Sequence, residues 1–152
     1  MHLKSVCVRY GLTCSTISHP NISCGIWVIW DKQPGIVVPT AAMYFEQALG
    51  FLTYSMGHMN SDYQDRFEVV AHRTHTFGRC SDAAGNVSFQ IDSCREQIFK
   101  QLDYTTTYKS DSNLITDIAT GALYLMAAGD VNHEVDPHID VEISSLVKFT
   151  DM

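Results

Sequence analysis

The densest run of chemistry-bearing residues is Asp130-Val131-Asn132-His133-Glu134-Val135-Asp136-Pro137-His138, with Asp140 just beyond it. Its four carboxylates could supply oxygen ligands to a hard cation such as calcium, and its two histidines would titrate near neutral pH. The spacing does not follow the EF-hand pattern. It reads instead as a solvated acidic loop between the last two strands. His72 and His75 form a second candidate metal pair. In a strand, an offset of three sends the two side chains to opposite faces, so they cannot share one ion. A cupin-like metalloenzyme would present His-x-His followed by Glu, and that pattern is absent here. The sequence also lacks a Gly-x-Ser-x-Gly elbow, a phosphate loop and a His-Glu-x-x-His run. No catalytic residue, cofactor or metal is expected.

Nucleic-acid chemistry needs cations to neutralise phosphates, and the formal net charge is −7. By strand parity Arg9, Arg66 and Lys148 point away from the core, with His72 beside them, and together they form the expected contact set for a nucleic acid. Glu68, Asp140 and Glu142 share that outward parity and dilute it. The five cysteines form no Cys-x-x-Cys pair and are odd in number. They read as reduced, small hydrophobes of an intracellular protein. No apolar run reaches membrane-spanning length and no signal peptide stands at the start, so a soluble chain with no membrane partner is expected.

The elements that must carry these residues are strands, packed as one domain over residues 1–152. Leu3–Leu12 puts Val6, Val8, Tyr10 and Leu12 on one side at a period of two. Cys24–Trp30 is a solid apolar run rich in Trp, Val and Ile, stopped by Asp31-Lys32-Gln33-Pro34-Gly35. Residues 36–64 form a long apolar connection, with a short helix expected after Pro39 and Thr40 as its N-cap. Such a connection either packs on a neighbouring subunit or folds back over the edge of its own sheets. Arg66–Phe77 alternates, with Phe67, Val69 and Ala71 read as inward. Val87, Phe89 and Ile91 resume the alternation after a turn, and Ile98–Leu102 and Asp103–Tyr108 read as two shorter strands. Gly121–Ala128 is apolar throughout, as a strand buried on both faces would be. Ile139, Val141, Ile143, Val147 and Phe149 share one parity of the last strand. About eight strands with turn signals between them and almost no helix predict an all-β sandwich.

An ordered set of short segments carries a resemblance. Leu3-Lys4-Ser5-Val6 opens the first strand and Asp31-Lys32-Gln33-Pro34-Gly35 ends the Trp-rich one. Asp65-Arg66-Phe67-Glu68-Val69-Val70 opens the long alternating strand. Gly121-Ala122-Leu123-Tyr124-Leu125-Met126-Ala127 precedes a last strand ending in Phe149-Thr150-Asp151. In that order and spacing the chain resembles the coat proteins of geminiviruses and of related circular single-stranded DNA viruses. The resemblance implies a single jelly roll of two four-stranded antiparallel sheets, with a short helix in the long loop after the second strand. It implies self-assembly into a small icosahedral shell around circular single-stranded DNA. The chain would then reside in the virion, and in the host nucleus or cytoplasm during assembly. The basic N-terminal arm of that family has no counterpart in this sequence. Asp31, Lys32, Phe45, Phe51, Tyr54 and Met56 are the expected subunit-contact residues, the partner being further copies of the chain. A lectin-like β-sandwich presenting Tyr54, Tyr63 and Tyr104 to a sugar or a protein is the alternative.

Overall fold

The structure, a computed structural model, describes residues 1–15, 21–35, 38–45, 59–78, 91–110, 117–129 and 138–150. Eight strands dominate: β1 (His2–Ser15), β2 (Asn21–Asp31), β3 (Phe67–Gly78), β4 (Ile91–Thr105), β5 (Thr107–Tyr108), β6 (Ile118–Thr120), β7 (Ala122–Gly129) and β8 (His138–Thr150). The only α-helix among the described residues, α1, is the four-residue turn Ala41–Tyr44, directly after Thr40. The protein is all-β, and every pairing among the described strands is antiparallel. Two strands expected over 98–108 are instead the end of one long β4 followed by short β5, with buried Thr106 between them. The segment around Val87 and Phe89 lies outside the described residues.

Sheet I has the order β4-β1-β8, sheet II the order β3-β2-β7, and β5-β6 forms a separate ribbon. The β1–β2 pair therefore runs up the middle, one strand in each sheet. It is flanked by β4 and β3 on one side and by β8 and β7 on the other. Among the described residues each main sheet holds three strands, where the sequence reading expected four.

The alternation in β1 dictates the main core. Val6, Val8, Tyr10 and Leu12 face Cys24, Ile26, Val28 and Trp30 of β2, and Ile98 and Leu102 of β4 extend the same cluster. Burying each such aliphatic side chain contributes about 1.5–3 kcal/mol before entropy is counted. The other parity of β2 is buried as well. Trp27 and Ile29 pack on the outer face of sheet II against Tyr44, Phe45 and Phe67, with Met43, Met59 and Tyr63 at the margin. Two covered faces explain why Ile26–Trp30 has no polar position. The long connection thus folds back on its own subunit, at least over 38–45 and 59–66. The Asn60 amide donates to the Tyr44 carbonyl at 2.8 Å, and Phe45 bridges to Met59.

Two expectations change with this layering. β7 is half-buried along most of its length and forms the edge of the described sheet II, so the strand buried on both faces is β2. In β3 a bulge shifts the register between Val28 and Ile29, inserting Val70 between the residues opposite them. An inserted residue inverts strand parity. Phe67 therefore packs on the outer face, Val69 is exposed, and Ala71 and Phe77 turn inward.

Candidate assembly surface

The surface of this molecule is best read edge by edge, because β3 and β4 bound one side of the two sheets and β7 and β8 the other. At the β3/β4 side, polar clasps tie the sheets together. The Tyr10 hydroxyl lies 3.1 Å from Glu96 Oε2 and 2.8 Å from His75 Nε2. Its single proton goes to the carboxylate, so its oxygen accepts from His75 Nε2–H. Burial and that bond to Glu96 raise the Tyr10 pKa well above its ordinary value. Further along, the Tyr104 hydroxyl donates to Glu68 at 2.5 Å while its ring stacks on Trp30 at 4.5 Å. Burial, with help from Glu68, pushes the Tyr104 phenol up to about 12. Neither clasp was read from the sequence. Their members are distant along the chain, and only the facing of the two sheets brings them together.

Asp31 and Arg66 form a third polar centre. The guanidinium meets the carboxylate in a two-pronged pair, Nε to Oδ1 at 2.9 Å and Nη2 to Oδ2 at 2.8 Å. The Gln33 amide also donates to Oδ1 at 3.0 Å. Asp31 is fully buried, and its hydrogen bond raises the Arg66 pKa. Tyr44 and Tyr124 carry buried hydroxyls with no hydrogen-bond partner among the described residues. Burial, then the nearby Asp31 charge, raises the pKa of both. An unsatisfied buried hydroxyl costs about 1–3 kcal/mol. Tyr44→Phe is therefore expected to leave stability unchanged or raise it by about 1 kcal/mol, read from the midpoint of urea unfolding.

The four residues expected to contact nucleic acid do not come together. Arg9 and Lys148 lie on the outer face of sheet I, where Arg9 Nε donates to Gln97 Oε1 at 3.2 Å. Arg66 is committed to Asp31. His72 lies on the outer face of sheet II, with its ring stacked on Trp27 at 4.5 Å. His75 faces the opposite way, toward Tyr10, so the two histidines cannot share an ion. Among the described residues, no three His, Cys, Asp or Glu side chains gather as a metal site. Most of the acidic 130–140 loop lies outside the described residues.

Of the expected contact residues, Asp31 and Phe45 are buried inside the subunit. Both parts of the pattern that suggested a contact have an internal cause: Asp31 serves Arg66, and Phe45 covers Trp27 at a ring distance of 4.9 Å. Lys32 is exposed. Phe51, Tyr54 and Met56 lie outside the described residues. Of the proposed sugar-stacking aromatics, Tyr63 packs at the margin of the outer cluster and Tyr104 is covered by Trp30.

The β7/β8 side is different. Every described residue from Asp140 to Thr150 is exposed, including Val141, Ile143, Leu146, Val147 and Phe149. Near one end, an apolar cavity of about 290 Å3 opens between the sheets, lined by Leu3, Tyr108, Leu123, Val147 and Phe149 among others. On the outer face of sheet I, Cys7 sits between Phe99 and Leu146 in register, and both neighbours are more than half exposed. Contiguous exposed apolar groups of this kind mark surfaces that meet another molecule.

No protein-family model matches the chain, and a search of curated proteins found no match. No helix among the described residues is long and apolar enough to cross a membrane.

Proposed function

We propose that this chain is a viral coat protein whose work is self-association into a closed shell enclosing single-stranded DNA. The observation that carries this reading is the last strand, which presents five exposed large hydrophobic side chains along an edge of sheet I. A monomeric binding module would keep such a row of large apolar side chains covered. The ordered resemblance to geminivirus coat proteins supplies the kind of assembly. The nested pairing of β1 with β8 and of β2 with β7 supports a jelly roll, in which a long antiparallel ribbon is wrapped across two sheets. Closed symmetric shells need several distinct patches per subunit. The β8 edge and the Phe99–Cys7–Leu146 row are two candidates.

Genome containment in this reading is weak, because net charge −7 opposes phosphate and the outward cations are dispersed over two sheets. Purified chain at micromolar concentration is expected to form particles of tens of subunits in negative-stain images, with low absorbance at 260 nm after nuclease treatment. A clean monomer would sink the shell. Strong nuclease-resistant absorbance would overturn the weak-containment expectation and point to a basic interior.

A further inference from the structure

We infer that the edge of β8, unpaired among the described residues, pairs antiparallel with β8 of a second copy, about a two-fold axis normal to sheet I that passes between the two Ser145 residues. The self-association proposed above is presupposed only in that the partner is a second copy. The first observation is a contrast between the two edges of sheet I. β4 carries Glu96 and Lys100 opposite Tyr10 and Val6, on the face turned toward the core. Inward-pointing charges are a device that blocks strand addition. The corresponding face of β8 carries Val141, Ile143 and Val147 opposite Leu12, Tyr10 and Val6, and no charge. These three are 37%, 42% and 37% exposed, so one edge is guarded and the other is open.

The second observation is that β8 is complementary to itself. Its acidic residues, Asp140 and Glu142, lie in the first half and its one cation, Lys148, in the second. Antiparallel pairing centred on Ser145 sets Glu142 opposite Lys148 at both ends of the contact. On the other face it sets Ile143 opposite Val147 and Val141 opposite Phe149. Aliphatic, aromatic and opposite-charge pairs are the favourable cross-strand combinations. Moving the axis to Ser144 sets Glu142 opposite Leu146 and Ile143 opposite Ser145, which forfeits both matches. Pairing also satisfies the backbone groups along the open edge. It joins the described strands β4-β1-β8 to their symmetry mates in one continuous sheet.

The test is a charge exchange read by sedimentation equilibrium. Glu142→Lys alone and Lys148→Glu alone each place like charges opposite one another twice, and each is expected to weaken dimerisation about tenfold or more. An equimolar mixture of the two variants restores opposite charges at both ends of the heterodimer and should regain wild-type association. The double variant E142K/K148E should regain it as well. Both positions are exposed, and circular dichroism checks that each variant keeps its fold. Singles that associate like wild type, or a mixture no tighter than the singles, would overturn the pairing. Dimers that obey the exchange but never form particles would keep the pairing and sink the shell. Particles indifferent to the exchange would do the reverse.

Discussion

Arg66→Ala is expected to destabilise the protein by about 3–5 kcal/mol, because it strands the Asp31 carboxylate without its partner in a dry site. For a chain of this size that loss lowers the melting temperature by roughly 10 °C or more. The carboxylate is fully buried, whereas the guanidinium is one-fifth exposed, so the asymmetry is instructive. Removing the cation leaves a charge that water cannot reach. Removing the carboxylate with Asp31→Asn leaves a cation that can still reach solvent, and the expected cost is smaller, about 2–3 kcal/mol. Arg66→Lys should recover only part of the loss, since an ammonium cannot make the two-pronged contact and cannot lie flat over the Phe67 ring, 4.7 Å away. Replacing both partners with apolar residues of similar size, Asp31→Leu with Arg66→Met, should recover most of it. Chemical denaturation of the five proteins measures the series. If Arg66→Ala leaves the midpoint unchanged, the pair has no structural role and Arg66 is free for a ligand.

That series also bears on function. Arg66 is the one cation in the otherwise acidic segment that opens β3, and its side chain reads from sequence as an outward cation. A variant that lost DNA or assembly through misfolding would look like a lost contact. The unfolding midpoint separates the two, and Arg9 and Lys148 are the better probes of any nucleic-acid surface.

Legibility of the fold from sequence followed the range of the interaction. The period-two pattern of β1 places its inward face without error, because a strand's parity is local. The run Ile26–Trp30 announces a buried strand, yet what covers its second face, Tyr44, Phe45 and Phe67 with Met43, Met59 and Tyr63, is not written in the run itself. β3 shows the limit most clearly. Its sequence alternates, but the inserted Val70 reverses the parity of Phe67 relative to Ala71, and a bulge depends on its partner strand. Asp31 and Arg66 each look like surface charges in sequence, because the two lie 35 residues apart and nothing local pairs them. The opposite error arises in β8. Its five same-parity apolar residues promise burial, but β8 is an edge of the described sheet I, so the row is left half open. Pattern encodes which face is apolar; only assembly of the elements tells what meets it.

The outer face of sheet II provides the second large expected effect, and it tests the layer that pattern did not reveal. Trp27 is almost fully buried, stacked on His72 on one side and tilted against Phe45 on another. Its indole lies along the strand over Gly25, where an added Cβ would fall inside the ring atoms. Trp27→Ala should cost about 3–5 kcal/mol by emptying the layer beneath α1. Gly25→Ala should cost about 1–3 kcal/mol by a different route, since the methyl group expels the ring from its seat. If the glycine exists to seat the indole, the two effects are not independent. In the Trp27→Ala background the Gly25→Ala substitution should become nearly neutral, or slightly stabilising, because alanine loses less conformational entropy on folding than glycine. The coupling between the two positions, measured as the departure from additivity in urea unfolding, is then expected to be about as large as the cost of Gly25→Ala alone. Additive costs would mean that Gly25 is required by the backbone and not by the ring. Tyr44 and Phe45 would then cover sheet II without depending on how Trp27 is seated.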